Sequence, residues 1–180
     1  KENYFVIFTK PAKPAAGKPP AEGPKSVSPV VPGYGAVVPV PGGAEPPAKG
    51  TKVVFDVTST GKDPDRPLPG LERVATLLNL AGTAGLVPGD QEVVVVLHGD
   101  ATASALDDRA YSSVTARAHP SADLLNKLAA AGVRVEVCGQ SLARKGYDPK
   151  RVRGGVTVAA SAVTAVINLQ ARGFAYVPAH

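Results

Sequence analysis

The rhythm of apolar and polar positions changes near residue 50. From there on, short β-branched runs alternate with stretches of helical period. Lys52–Val57 (KVVFDV) and Glu92–Leu97 (EVVVVL) read as buried strands. Between them, Leu71, Val74, Leu77 and Leu78 recur at helical spacing. That spacing predicts a helix over Leu68–Leu80, ended by Gly82 and Gly85. Thr102–Leu106 and the segment around Tyr111 read as a short helix and a loop. Ser121–Ala131 is a second amphipathic helix, opened by Ser121 or Pro120 and closed by Gly132. A strand at Val133–Val137, a short helix at Gln140–Lys145 and a strand at Val156–Ala159 follow. A helix at Ser161–Arg172, closed by Gly173, and a last strand at Phe174–Val177 complete the pattern. Strands alternating with helices at this spacing predict βαβ units and a mainly parallel α/β sheet of about five strands, covered on both faces.

The first fifty residues follow no such period. Pro11 to about Gly50 is dominated by proline and glycine, in PAKPAAGKPP, PVVPGYGAVVPVPGG and EPPAKG. Proline removes backbone donors and fixes φ, so polyproline II and turns are expected here. Residues 1–50 therefore read as an extended arm and 51–180 as the α/β domain. Such an arm is ordered only against a surface. Val30, Val31, Tyr34, Val37, Val38 and Val40 are the apolar contacts it offers, to its own domain or to another chain. A ligand for an SH3-type groove is the rival reading. Tyr4–Phe8 (YFVIF) is a β-prone run that suits an added edge strand or a hook on a neighbouring subunit.

Composition narrows the function classes. Hydrophobic residues are 44% of the 180, enough for a real core, and no apolar run approaches the roughly 18 residues of a membrane-spanning helix. The net charge is +5, but Lys1, Lys10, Lys13, Lys18, Lys25 and Lys49 all lie in the arm, without interleaved aromatics. That argues against nucleic-acid binding and for a solvated basic tail. One cysteine forbids an intrachain disulfide. The chain has no methionine even at position 1. Removal of an export leader would explain that, which makes a periplasmic or otherwise exported location the expectation and a cytoplasmic one the alternative.

In open parallel sheets, ligands bind beyond the carboxyl ends of strands. That selects Thr58–Thr60, the turn His98, Gly99 and Asp100, and the segment Cys138, Gly139, Gln140 and Ser141. Cys138 would end a strand and begin a helix, where free N–H groups, with Arg144 and Lys145 beyond, favour a thiolate. The alternative is a small buried apolar residue. His98 is a base or hydrogen-bond partner for the thiol, or else only orders its turn. Asp100 reads as a cap for the segment starting at Ala101. His119 and His180 lack ligand spacing with Cys138 or His98, so no metal site is expected. Asp63-Pro64-Asp65 reads as a turn. No dinucleotide fingerprint, P-loop or nucleophile elbow occurs, which leaves a small-ligand or nucleotide site at Thr58–Thr60 and His98 as a minor reading.

KVVFDVT, LERVATLLNLAG, VVVVLHGDAT, DLLNKLAAAGV, VRVEVCGQSLARKGY and VTVAASAVTAVINLQARGFAYVP together resemble the DsrE/DsrF-like family, over nearly all of Lys52 to Pro178. The resemblance implies a three-layer α/β/α fold and a homo-oligomer, trimer or hexamer, or membership of a larger assembly. It also implies a cysteine after the third strand, matching Cys138, that takes a sulfane sulfur as a persulfide from a donor protein and passes it to an acceptor. No metal or organic cofactor is implied. The proline-rich arm and the His-Gly-Asp turn set this chain apart from the sulfur-relay subunits and bring it nearer a leader-bearing branch with Cys-Gly-Gln-Ser. Two functions follow as expectations. One is sulfur handling through Cys138, with His98, Gln140 and Ser141 lining the site and the Gly139 and Gln140 N–H groups stabilising the thiolate. The other is a non-catalytic oligomeric scaffold whose arm straps subunits or a partner.

Overall fold

The structure, a computed structural model, describes residues 25–179. The Tyr4–Phe8 run lies outside the described residues. Five strands form one sheet: β1 (Lys52–Val57), β2 (Glu92–Leu97), β3 (Arg134–Cys138), β4 (Val156–Ala159) and β5 (Ala175–Ala179). Every pairing is parallel, and the order is β4-β3-β2-β1-β5. The helices are α1 (Pro69–Thr83), α2 (Asp108–Thr115), α3 (Ala122–Ala130), α4 (Gly139–Lys145) and α5 (Ala162–Ala171), with 3-10 turns at Gly99–Ala105 and Pro149–Arg151.

Strand alternation splits the core in two. Val53, Phe55, Val57, Val93, Val95, Leu97, Val135 and Val137 face one side. They pack with Leu71, Val74 and Leu78 of α1 and Leu124, Leu125 and Leu128 of α3. Val54, Val94, Val96 and Cys138 face the other side, with Ala162, Leu169 and Phe174. This second layer is α5 alone, because the return from β4 at one edge to β5 at the other is the one crossover on that face. Both faces are covered as expected, but unequally.

Several element ends differ from the sequence reading, each for a local reason. Helix α1 continues through Gly82, which sits inside the helix rather than ending it. A Cβ there would lie 2.7 Å from Val30 Cγ2, so this glycine makes room for the arm. The helix stops at Ala84, followed by Gly85 at φ 83°. Ser121 stands at the start of α3 but does not cap it. Its fully buried hydroxyl accepts the Leu68 N–H at 3.0 Å and ties α3 to the entry of α1. The Tyr111 segment is a full helix, capped by Asp107, which accepts the Ala110 N–H and pairs twice with Arg151 at 2.7 Å. The acidic loop is a turn, closed by Asp65 N–H on the Asp63 carboxylate at 3.0 Å. No helix among the described residues is long and apolar enough to cross a membrane.

The described part of the arm packs on its own chain at residues 27–37. Val27 and Val37 pair as an antiparallel bridge, and Val31 and Val37 are buried. Asn79 of α1, fully buried, spends its whole side chain on this segment. Its Oδ1 accepts the Val30 and Val31 N–H groups at 3.0 and 2.9 Å, and its Nδ2 donates to the Tyr34 and Gly35 carbonyls at 2.8 and 3.0 Å. Tyr34 donates to Asp123 of α3 at 2.9 Å, and Lys127 donates to the Pro32 carbonyl at 3.1 Å while lying 4.9 Å from the Tyr34 ring centre. Val38 and Val40 are exposed and make no part of this contact within the chain.

Asn79→Ala should lower the unfolding free energy by about 2–4 kcal/mol in urea melts, since buried backbone groups lose their partners. Gly35→Ala should also destabilise, by more than about 1 kcal/mol, because its φ is 54° and a Cβ would lie 2.4 Å from the Thr76 backbone nitrogen. Unchanged urea midpoints in both variants would mean that the arm adds nothing to the fold.

Candidate functional site

Parallel pairing brings the carboxyl ends of β1, β2 and β3 to one rim, and the three sequence-selected segments meet there. The His98-Gly99-Asp100 turn folds onto the end of β1. The Thr58 carbonyl accepts the Asp100 and Ala101 N–H groups at 2.9 and 3.1 Å. Gly99 takes φ 57°, and a Cβ there would press on the same carbonyl at 3.2 Å. Asp100 does not cap the segment after it. The 3-10 turn begins at Gly99, and the exposed Asp100 carboxylate instead meets Lys145 at 3.5 Å.

Cys138 is the last residue of β3 and the cap of α4. Its Sγ accepts the Ser141 N–H at 3.4 Å. Only 5% of the residue is exposed. Burial pushes the thiol up, but hydrogen bonds from the Ser141 side chain and from the N–H groups of Ala162, Ser141 and Gln140 outweigh it. The thiol therefore sits below its ordinary value. The sequence reading credited Arg144 and Lys145 and named the Gly139 and Gln140 N–H groups. The donors are Gln140, Ser141 and Ala162, and Lys145 is turned to Asp100. Gly139 is needed for another reason: a Cβ there would lie 2.8 Å from the Ala159 carbonyl of β4. Gln140 is exposed at the rim, and Ser141 is half-buried beside the sulfur.

His98 is engaged on the side away from β3. Its Nε2 lies 2.6 Å from Asp56 Oδ1 on β1, and the other carboxylate oxygen accepts the Tyr176 hydroxyl of β5 at 2.8 Å. The phenol is held above its ordinary pKa by that hydrogen bond, with burial adding to it. Asp56, His98 and Tyr176 line a cleft of about 260 Å³ with Ala162, Val166 and Gln170 of α5. The sequence reading missed Asp56 and Tyr176. The legible signal was a lone acid inside KVVFDV; nothing local marked Tyr176.

His119 belongs to a different place. It stacks on Tyr111 at 4.2 Å, contacts the Ser104 carbonyl through Nε2 at 3.1 Å, and accepts the Ser121 N–H on Nδ1 at 3.2 Å. Burial lowers its pKa, and these contacts make it a structural histidine. Among the described residues, no three His, Cys, Asp or Glu side chains converge as metal ligands.

No curated protein matches the chain. Among solved structures, a protein of unknown function from Methanobacterium thermoautotrophicum is similar, with a TM-score of 0.54 and 25% identity over 71% of this chain and 98% of that one. The model of the DsrE/DsrF-like family matches residues 52–178, from the first strand through the last, with Asp56, His98, Cys138 and Tyr176 all inside the match. By that match the chain belongs to the DsrE/DsrF-like family.

Proposed function

We propose that the protein handles sulfane sulfur through Cys138. The observation that carries this reading is the thiol itself, capped by N–H donors at the carboxyl end of an inner strand and held below its ordinary pKa despite burial. Family membership supports a sulfur-relay type of role. In the step envisaged, the Cys138 thiolate attacks the terminal sulfur of a donor persulfide. A new S–S bond forms on Cys138, the donor's S–S bond breaks, and the donor thiol departs as thiolate. The product is a Cys138 persulfide that a second thiol can take. No outside oxidant or reductant is needed.

The rival scaffold reading assigns the arm to neighbouring subunits. Against it, residues 27–37 are spent on the same chain's α1 and α3. Self-association itself fits the open edge at β4, where Val158 is 42% exposed. We take the working form to be a homo-oligomer of the trimer or hexamer class. A monomeric native mass would remove that part of the proposal.

Intact mass after exposure to inorganic polysulfide should show the addition of one sulfur atom, lost on reduction and absent in Cys138→Ser. Full loading of Cys138→Ser would sink the proposal. The lowered thiol pKa also has a direction in pH. Native alkylation should reach half its maximal rate below the pH of about 8.5 typical of a free cysteine. A midpoint at or above that value would mean that burial, not hydrogen bonding, controls the sulfur.

A further inference from the structure

Four adjacent strands each place one reactive-type side chain on the α5 face of the sheet. In spatial order these are Tyr176 on β5, Asp56 on β1, His98 just past β2 and Cys138 on β3. The register explains the alignment. Leu97 pairs with Val137, so His98 and Cys138 follow as cross-strand neighbours, on strands about 4.8 Å apart. Val96 and Cys138 share the α5-facing cluster, and alternation returns His98 to that same face, where it lines the cleft with Ala162. Ala162 is the joint between cleft and sulfur, because it lines the cleft and shares the buried α5-face cluster with Cys138.

Proton placement follows from chemistry. The Asp56 carboxylate only accepts, and it takes the Tyr176 hydroxyl on Oδ2. The 2.6 Å contact on Oδ1 therefore needs the proton on His98 Nε2. A neutral ring with Nε2 protonated carries its lone pair on Nδ1, the other ring nitrogen. The other charged groups nearby are paired elsewhere. Arg134 and Glu136, on the same face of β3, pair at 3.2 Å, and Lys145 of α4 pairs with Asp100 at 3.5 Å. Helix α5 carries no charged residue between Ala162 and Ala171, and its polar group in the cleft is Gln170.

We infer that Tyr176 and Asp56 are positioning residues that hold His98 as the proton carrier for Cys138, beside an α5-lined cleft that receives the small organic thiol leaving the sulfur donor. This rests on the sulfur-handling reading above and assigns its proton path. The imidazole takes the proton of the Cys138 thiol. The thiolate forms its S–S bond with the terminal sulfur of a low-molecular-weight organic persulfide, and the imidazolium returns the proton to the departing thiolate. Protons and electrons balance, with a free thiol and the Cys138 persulfide as products. The apolar Val166 and Ala162 walls suit a hydrocarbon body, and the open side of the cleft admits it.

The test compares wild type, Asp56→Asn and His98→Asn, with the native fold checked by circular dichroism. Two rates are followed against pH: iodoacetamide alkylation of Cys138 and its loading from an alkyl persulfide. Both variants should shift the alkylation midpoint upward by about one pH unit, a loss of about tenfold in rate below it. Superimposable alkylation profiles would overturn the inference whether or not loading occurs. If no protein loads but the alkylation profiles still shift, the sulfur-handling reading falls and the His98–Cys138 coupling stands. Should the variants fail to fold, proton NMR of the His98 ring decides. Its titration midpoint must move in Cys138→Ser, and an unmoved midpoint overturns the inference.

Discussion

Parallel pairing is the constraint on which the rest depends. A parallel neighbour cannot be reached by a hairpin, so every connection must cross a sheet face. Four such crossings in the order β4-β3-β2-β1-β5 set the whole layout. Three step one way and build the thick layer of α1 and α3. The fourth carries α5 back across the opposite face. All strands then end at one rim, where Thr58, His98 and Cys138 lie in a row. One helix cannot cover five strands. The α5 face therefore tolerates Asp56, Arg134 and Glu136, which a fully covered parallel sheet would exclude.

The arm shows how a segment without secondary structure is held. Among the described residues its backbone pairs with itself only at the Val27–Val37 bridge and in tight turns, so other donors and acceptors need partners from the domain. Asn79 supplies four at once, because an amide side chain has both polarities and a fixed geometry. Two glycines complete the fit. Gly35 lies against the Ala75–Thr76 backbone, and Gly82 opens the helix surface to Val30. Residues 27–37 thereby lie on the outside of the thick layer, against α1 and α3.

At the rim two effects on the sulfur oppose each other. Burial at 5% exposure disfavours a thiolate, and the hydrogen-bond donors favour it. The donors win because three of them are backbone N–H groups fixed by the starts of α4 and α5, so no ordering cost is added when charge appears. A structural cysteine would need none of them. The same layout places a carboxylate–imidazole pair one strand away, with a cleft open to solvent beside it.

Much of this was legible in the chain. The β-branched runs and the leucine spacing announce alternating strands and helices, because burial on a sheet face and on a helix stripe imposes different periods. The position of Cys138, at the end of a strand and ahead of a helix, could also be read locally, as could the tight turn after His98. What no local pattern holds is which strands become neighbours. Asp56, His98 and Tyr176 are far apart in sequence, and they meet only because β5 returns to pair with β1. Asn79 looked like one more helix residue until the arm lay over it. Propensity and periodicity act over a few residues and determined the elements. Strand order, the partners of buried polar groups and the identity of the donors around the sulfur depend on long-range packing, and the tertiary structure decided them.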